Sequence, residues 1–211
     1  MLISADWVLP IDREPIRNGA VRVHNARIAE VGSLDRFGDL GGVPRFEFPG
    51  CAILPGLVNA HTHLSLTALG GLVPPSDFSA WLERIVPLIA GLDEDAMAAS
   101  ATLGALRCLE AGITSVGDVA YGPEALASAA DTGVGGVFFW EVLGISASEL
   151  RRVLQTAEFP LANEAAYGGR TRCGIAPHTA YTCGPDLLRA AAALAREHGH
   201  PLAIHVAESP A

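Results

Sequence analysis

Beyond residue 51, short apolar runs alternate with helical stretches, and polar residues gather where each run ends. This rhythm constrains the fold more than any other feature of the chain. The apolar runs read as strands over 52–60, 113–119, 134–142, 172–177 and 201–206. Helices are expected over 77–90, 93–110, 123–130, 147–156 and 186–197. Their ends carry ordinary punctuation. Gly112 stops one helix, Pro123 opens another that Gly133 closes, and Ser146 with Glu149 has capping-box spacing. Strands that are mostly apolar and alternate with helices imply a parallel sheet covered by helices. Five such strands suit an open sheet or part of a (β/α)8 barrel. In both, active-site residues collect at the carboxyl ends of the strands.

Residues 1–50 read differently, as short strands. Two alternating segments, 20–24 and 27–31, flank Asn25-Ala26 as a hairpin would. A Gly-rich stretch from Gly38 to Gly42 leads to another strand at 45–48. So few strands make no stable core alone and need others to pack on. The expected organisation is therefore an N-terminal β part, 1–50, and a strand–helix part, 51–211.

Composition narrows the function. All 14 basic residues are Arg, and the formal net charge is −9. Without Lys there is no Schiff-base lysine, no P-loop lysine and no carboxylated lysine to bridge two metals. An acidic chain without a basic run argues against nucleic-acid binding. No apolar stretch approaches the ~20 residues of a membrane span. The first residues, Met1-Leu2-Ile3-Ser4-Ala5-Asp6, lack the basic start and long apolar run of a signal peptide. Cys51, Cys108, Cys173 and Cys183 are scattered without a CxxC, as in a reduced, cytoplasmic protein.

Chemistry is sought at the strand ends. The first strand closes with His61-Thr62-His63. Residues i and i+2 share one face of a strand, so both imidazoles can address one point. Alone, the pair reads equally well as two polar strand-end residues. The strand at 201–206 closes with His205-Val206-Ala207-Glu208. A third imidazole there would supply three-quarters of a tetrahedral metal site. A nearby carboxylate that is not a ligand can carry protons for the activated water. Read singly, His205 is a hydrogen-bonded core residue and Glu208 a solvated carboxylate. Together, the two strand ends favour a metal at His61, His63 and His205. His178 closes the strand at 172–177 and faces the same mouth, to touch a substrate or to fix its loop. Asp118 ends the second strand, as a supporting carboxylate or simply a polar strand end. Trp81, on the first helix, suits the core or a substrate-facing wall. His24, His198 and His200 read as surface or structural.

These residues resemble the amidohydrolase superfamily. Pro55-Gly56-Leu57-Val58-Asn59-Ala60-His61-Thr62-His63-Leu64 is similar to its first-strand signature, and Gly112-Ile113-Thr114-Ser115-Val116 to its second strand. Ala176-Pro177-His178 and His205-Val206-Ala207-Glu208 look like strand ends of its deaminase and chlorohydrolase branch. That branch includes S-adenosylhomocysteine, guanine and aminodeoxyfutalosine deaminases and triazine hydrolases. The resemblance implies strands one to five of a TIM-like barrel, preceded by part of a small β-sandwich. It implies one divalent metal, zinc or else iron, on His61, His63 and His205. Glu208 would move the proton, while His178 and Trp81 would meet an N-heterocyclic, purine-like substrate. The absent Lys agrees with this branch rather than with two-metal members.

Two departures qualify the expectation. The family's strand-six His and strand-eight Asp have no counterpart here, since a (β/α)8 barrel takes ~250 residues. The chain is expected to be an incomplete, inactive portion of the hydrolase. A silent half-barrel with a binding or structural role, or dehalogenation of a triazine-like ring, are the alternatives. Ser209-Pro210 looks like a helix start at the close of the chain. Relatives acting on S-adenosylhomocysteine tend to carry an acid just after the Pro that ends the helix opened by Trp-Leu. Here Pro87-Leu88-Ile89-Ala90 has none. Exposed barrel surface would suit a homodimer.

Overall fold

The computed structural model describes residues 1–145, 151–152, 154–155, 161 and 169–208. The chain divides into two compact units, Met1–Gly56 and Leu57–Ala211.

The first unit is a four-stranded sheet ordered β3-β2-β1-β4, from β1 (Leu2–Val8), β2 (Ile16–His24), β3 (Arg27–Ser33) and β4 (Arg45–Ile53). β1–β2 and β2–β3 pair antiparallel, while β4 runs parallel to β1. The β2–β3 turn has positive φ at Asn25 (49°) and Ala26 (57°), as a tight hairpin whose twist matches its strands requires. Leu2, Ala20 and Phe37 form its buried apolar cluster.

The second unit is a parallel sheet ordered β5-β6-β7-β8: β5 (Leu57–Thr62), β6 (Ile113–Ala120), β7 (Gly135–Val142) and β8 (Thr171–Pro177). Helices α1 (Phe78–Ala90), α2 (Glu94–Glu110), α3 (Glu124–Thr132) and α4 (Pro185–His198) belong to it. Asp93 caps α2 by accepting from the Ala96 N–H at 2.8 Å. The core runs along the helix-covered face, through Leu64, Val116, Leu126, Val134 and Phe138, with a second cluster around Trp140, Ile175 and Leu187. A parallel sheet covered by helices is what the alternation predicts, and the partial TIM-like barrel is what the resemblance implies.

Three details differ from the sequence reading. The apolar run 52–60 is not one strand. β4 keeps Ile53, and β5 starts only at Leu57. Pro55 lies between them and has no N–H for a ladder. The segment 201–206 is no regular strand either. It meets β8 through isolated parallel bridges, Ile175 with Leu202 and Thr179 with His205. Pro201 offers no donor, and among the described residues only β8 pairs with the segment. A 3-10 turn, Leu64–Leu69, follows His63 and was not anticipated. The helix expected over 147–156 lies largely outside the described residues, as does the Ser209-Pro210 helix start.

One close approach shapes β5. A Cβ on Gly117 would lie 2.4 Å from the Ala60 carbonyl oxygen. The β5–β6 register also shifts between Asn59 and Thr62. Glycine therefore lets the two backbones meet directly beneath His61.

Candidate metal centre

His61 lies on β5 and His63 immediately follows it. Their rings stand 5.2 Å apart, centre to centre. His205 arrives from the edge segment, 5.1 Å from His61 and 5.4 Å from His63. One potential ligand atom from each of the three lies within 4.8 Å of the others. The His205 main chain donates to the His178 carbonyl at 2.9 Å, and its Nδ1 lies 3.1 Å from the same oxygen. With Nδ1 engaged there, Nε2 is left for a ligand.

His63 is partly buried. Its Nδ1 is buried without a hydrogen-bond partner. Burial first, then the neighbouring His205 and His61, push its pKa down to about 4. The Val119 main chain weakly opposes this without closing a hydrogen bond on Nδ1. His63 is therefore a neutral imidazole at pH 7, the form a metal takes. Three convergent imidazoles, one fixed through its Nδ1 and one carrying an unpartnered buried nitrogen, fit a divalent ion with nitrogen preference.

Asp118 lies near the end of β6 and is fully buried. Its Oδ1 accepts from the Leu64 N–H at 2.7 Å, which ties the 3-10 turn after His63 to the sheet. Its Oδ2 has no partner. Burial drives its pKa up to about 7, against the Leu64 bond and with help from Glu124. Through the Leu64 N–H it fixes the residue that follows His63.

The imidazoles open onto a cavity of about 500 Å³. Glu208, His178 and Trp81 all line it. A regular strand would put positions 205 and 208 on opposite faces. Ala207 breaks the alternation with φ 55°, so both side chains address one cavity. The Tyr181 hydroxyl donates to Glu208 Oε2, a bond that raises the phenol pKa and leaves Oε1 free. His178 ends β8; its Nδ1 lies 2.8 Å from the Thr182 hydroxyl and its ring 5.2 Å from His205. Burial first, then His205, lowers its pKa. Trp81 stacks on Phe78 at 6.3 Å, and with Leu82 and Ile85 makes an apolar wall.

Three further residues line the cavity unforeseen: Tyr121, Tyr181 and Glu141. Glu141 is only 8% exposed, and burial, then Glu208, raises its pKa to about 7. It is the one charged residue of β7, Gly-Gly-Val-Phe-Phe-Trp-Glu-Val, and that isolation was the available signal. His200 serves structure, its Nδ1 lying 3.1 Å from the Cys173 carbonyl. The four cysteines are free thiols, and no described helix is long and apolar enough to cross a membrane.

The imidazoles and carboxylates gather at the carboxyl edge of a parallel sheet, where folds of this kind place their active sites. A model of the amidohydrolase family matches residues 52–211, and the chain belongs to that family. It is 33% identical to the 5-methylthioadenosine/S-adenosylhomocysteine deaminase of Symbiobacterium thermophilum, over 99% of this chain and 49% of that protein. It is 31% identical to the 5'-deoxyadenosine deaminase of Methanothermobacter thermautotrophicus, with the same coverage of each. The chain thus spans about half the length of the curated relatives it matches. Among solved structures, Helicobacter pylori aminofutalosine deaminase in complex with methylthio-coformycin superposes with a TM-score of 0.83. The identity is 21%, covering 99% of this chain and 51% of that one. Arthrobacter aurescens atrazine chlorohydrolase complexed with zinc gives a TM-score of 0.82 at 20% identity, covering 97% and 52%. At such identities these structures speak for the fold.

Proposed function

We propose that this protein is a metal-dependent aminohydrolase that releases ammonia from a purine-like N-heterocycle. The observation that carries the reading is the meeting of His61, His63 and His205 beside Glu208 on one cavity. His61, His63 and His205 hold the ion, zinc or iron by the softness of imidazole. When bound, the ion supplies a Lewis acid that makes water a nucleophile at neutral pH.

The chain's own groups do the rest. Glu208 takes a proton from the attacking water through its free Oε1 and delivers it to a ring nitrogen of the substrate. Tyr181 holds the other oxygen and so fixes the carboxylate's direction. His178, oriented by Thr182, binds the substrate. Trp81 and Phe78 offer an apolar wall for a flat ring, and the wall also keeps water from that side. The names of the similar deaminases, which act on adenosine-like compounds, support a purine-like ring.

The test is ammonia release by zinc-loaded protein expressed from its complete reading frame, with 5'-deoxyadenosine, S-adenosylhomocysteine and free purine bases as substrates. Release is expected with at least one, and Glu208→Gln should lower kcat by ~100-fold or more at unchanged zinc content. No release from any of them, or an unimpaired Glu208→Gln enzyme, would overturn the proposal.

A further inference from the structure

We infer that Glu141, His178 and His205 form a second seat for a divalent cation, beside the three-imidazole seat and sharing only His205 with it. Potential ligand atoms of these residues lie within 4.8 Å of one another. They come from three successive strand ends: Glu141 from β7, His178 after β8 and His205 from the edge segment.

Glu141 supplies the strongest argument. More than nine-tenths of it is buried, and its buried Oε1 has no hydrogen-bond partner. A buried carboxylate without a donor is costly unless a cation neutralises it. No Lys exists in the chain, and no Arg lines this cavity. Among the described residues, then, no cationic side chain stands at Glu141 Oε1, and a bound cation would take that place.

The two rings complete the seat. His178 Nδ1 faces the Thr182 hydroxyl at 2.8 Å, and His205 Nδ1 faces the His178 carbonyl at 3.1 Å. Each ring thus has one nitrogen anchored and Nε2 left over, the arrangement that usually orients a metal-bound histidine. Because His205 has a single free nitrogen, one ion occupies one seat or the other. The stoichiometry is one per chain.

The seats differ in hardness. Three imidazoles suit zinc. Two imidazoles and a carboxylate can take zinc as well, and favour Fe(II) and harder ions such as Mn(II) more than three imidazoles do. The Glu141 seat should therefore govern manganese binding and the His61–His63 seat zinc binding.

The experiment titrates the 211-residue chain with Mn(II), followed by electron paramagnetic resonance, and with Zn(II), followed by calorimetry. Far-UV circular dichroism checks each variant. Glu141→Gln should weaken Mn(II) at least ~10-fold and change Zn(II) affinity by less than ~3-fold. His63→Ala should do the reverse. Unchanged Mn(II) affinity in Glu141→Gln, or two ions per wild-type chain, would overturn the inference. Zinc binding that survives His63→Ala would instead overturn the three-imidazole reading and leave this one standing. Should His63→Ala fail to fold, His61→Asn replaces it.

Discussion

The two sheets of this chain have four strands each and use them differently. In the first, the β1–β2 and β2–β3 pairs are antiparallel neighbours in sequence, so short connections set the register. The second is wholly parallel, so helices must carry the chain back between strands. Parallel order puts every carboxyl end on one edge, and there His61, Asp118, Glu141 and His178 gather. Antiparallel pairing sends successive strand ends to opposite edges. Among the described residues, no candidate metal-ligand cluster lies on the first sheet.

The sharpest way to break this contrast is to empty the core of the second sheet. Phe138 sits on β7 in register with Asp118 and Cys173 and is 1% exposed. Phe138→Ala should cost about 3–5 kcal/mol in urea unfolding and weaken zinc binding, because it loosens the row that carries Asp118. Phe37→Ala, in the cluster of the first sheet, should destabilise that unit and leave zinc stoichiometry at one. Loss of zinc in Phe37→Ala would show that the site depends on both sheets.

His205→Ala comes next. It removes one donor of three and should lower zinc affinity by on the order of 100-fold, measured by competition with a chromophoric chelator. The first sheet should be indifferent, with hydrogen exchange of the β2–β3 hairpin unchanged. An unaltered zinc affinity would reduce His205 to a core residue held by the His178 carbonyl.

The third prediction uses pH. Asp118 keeps its proton to about 7 when folded, against 3.8 ordinarily. Between those values the unfolded chain has released the proton and the folded chain retains it. Its contribution to stability therefore falls as pH rises and levels off above about 7. His63, depressed from 6.5 to about 4, contributes the opposite slope: its stability is present above 6.5 and is lost as pH falls toward 4. The difference between wild type and Asp118→Asn isolates the carboxyl. In the metal-free chain, Asp118→Asn should gain on wild type as pH rises from 4 to 7, by about 3 kcal/mol. A difference independent of pH would mean that Asp118 ionises normally.

The same contrast explains what was legible in the sequence. His61, His63, His178 and His205 could be found because a parallel sheet announces where its strand ends face, and polar residues stand out there. Glu208 was found by proximity to His205, although only the left-handed Ala207 brings it to the right face, which no pattern of polar and apolar residues shows. Glu141 escaped notice because it sits inside an apolar run beside Trp140, where one acid reads as an ordinary strand end. The edge segment reads as a strand in the sequence, but the structure gives it only isolated bridges. Its apolar composition was right, but pairing depends on neighbours, and only β8 flanks it among the described residues. The break between β4 and β5 was missed although Pro55-Gly56 marked it.

The smallest effect lies in the first sheet, where local conformation alone is at stake. Ala26 holds φ at 57° in the β2–β3 turn, and a side chain there meets the following carbonyl at a cost of roughly 1 kcal/mol. The favoured partner after Asn in such a turn is Gly, which adopts this conformation freely. Ala26→Gly therefore relieves strain, although glycine's greater freedom in the unfolded chain offsets part of the gain. The net expectation is a stabilisation of about 0.5 kcal/mol, read from the urea midpoint, with zinc affinity unchanged. A destabilised variant would show that the hairpin register is set by the Val21–Val31 and Arg22–Glu30 pairs across the strands rather than by its turn. The first sheet would then resemble the second, with distant packing rather than local geometry deciding its shape.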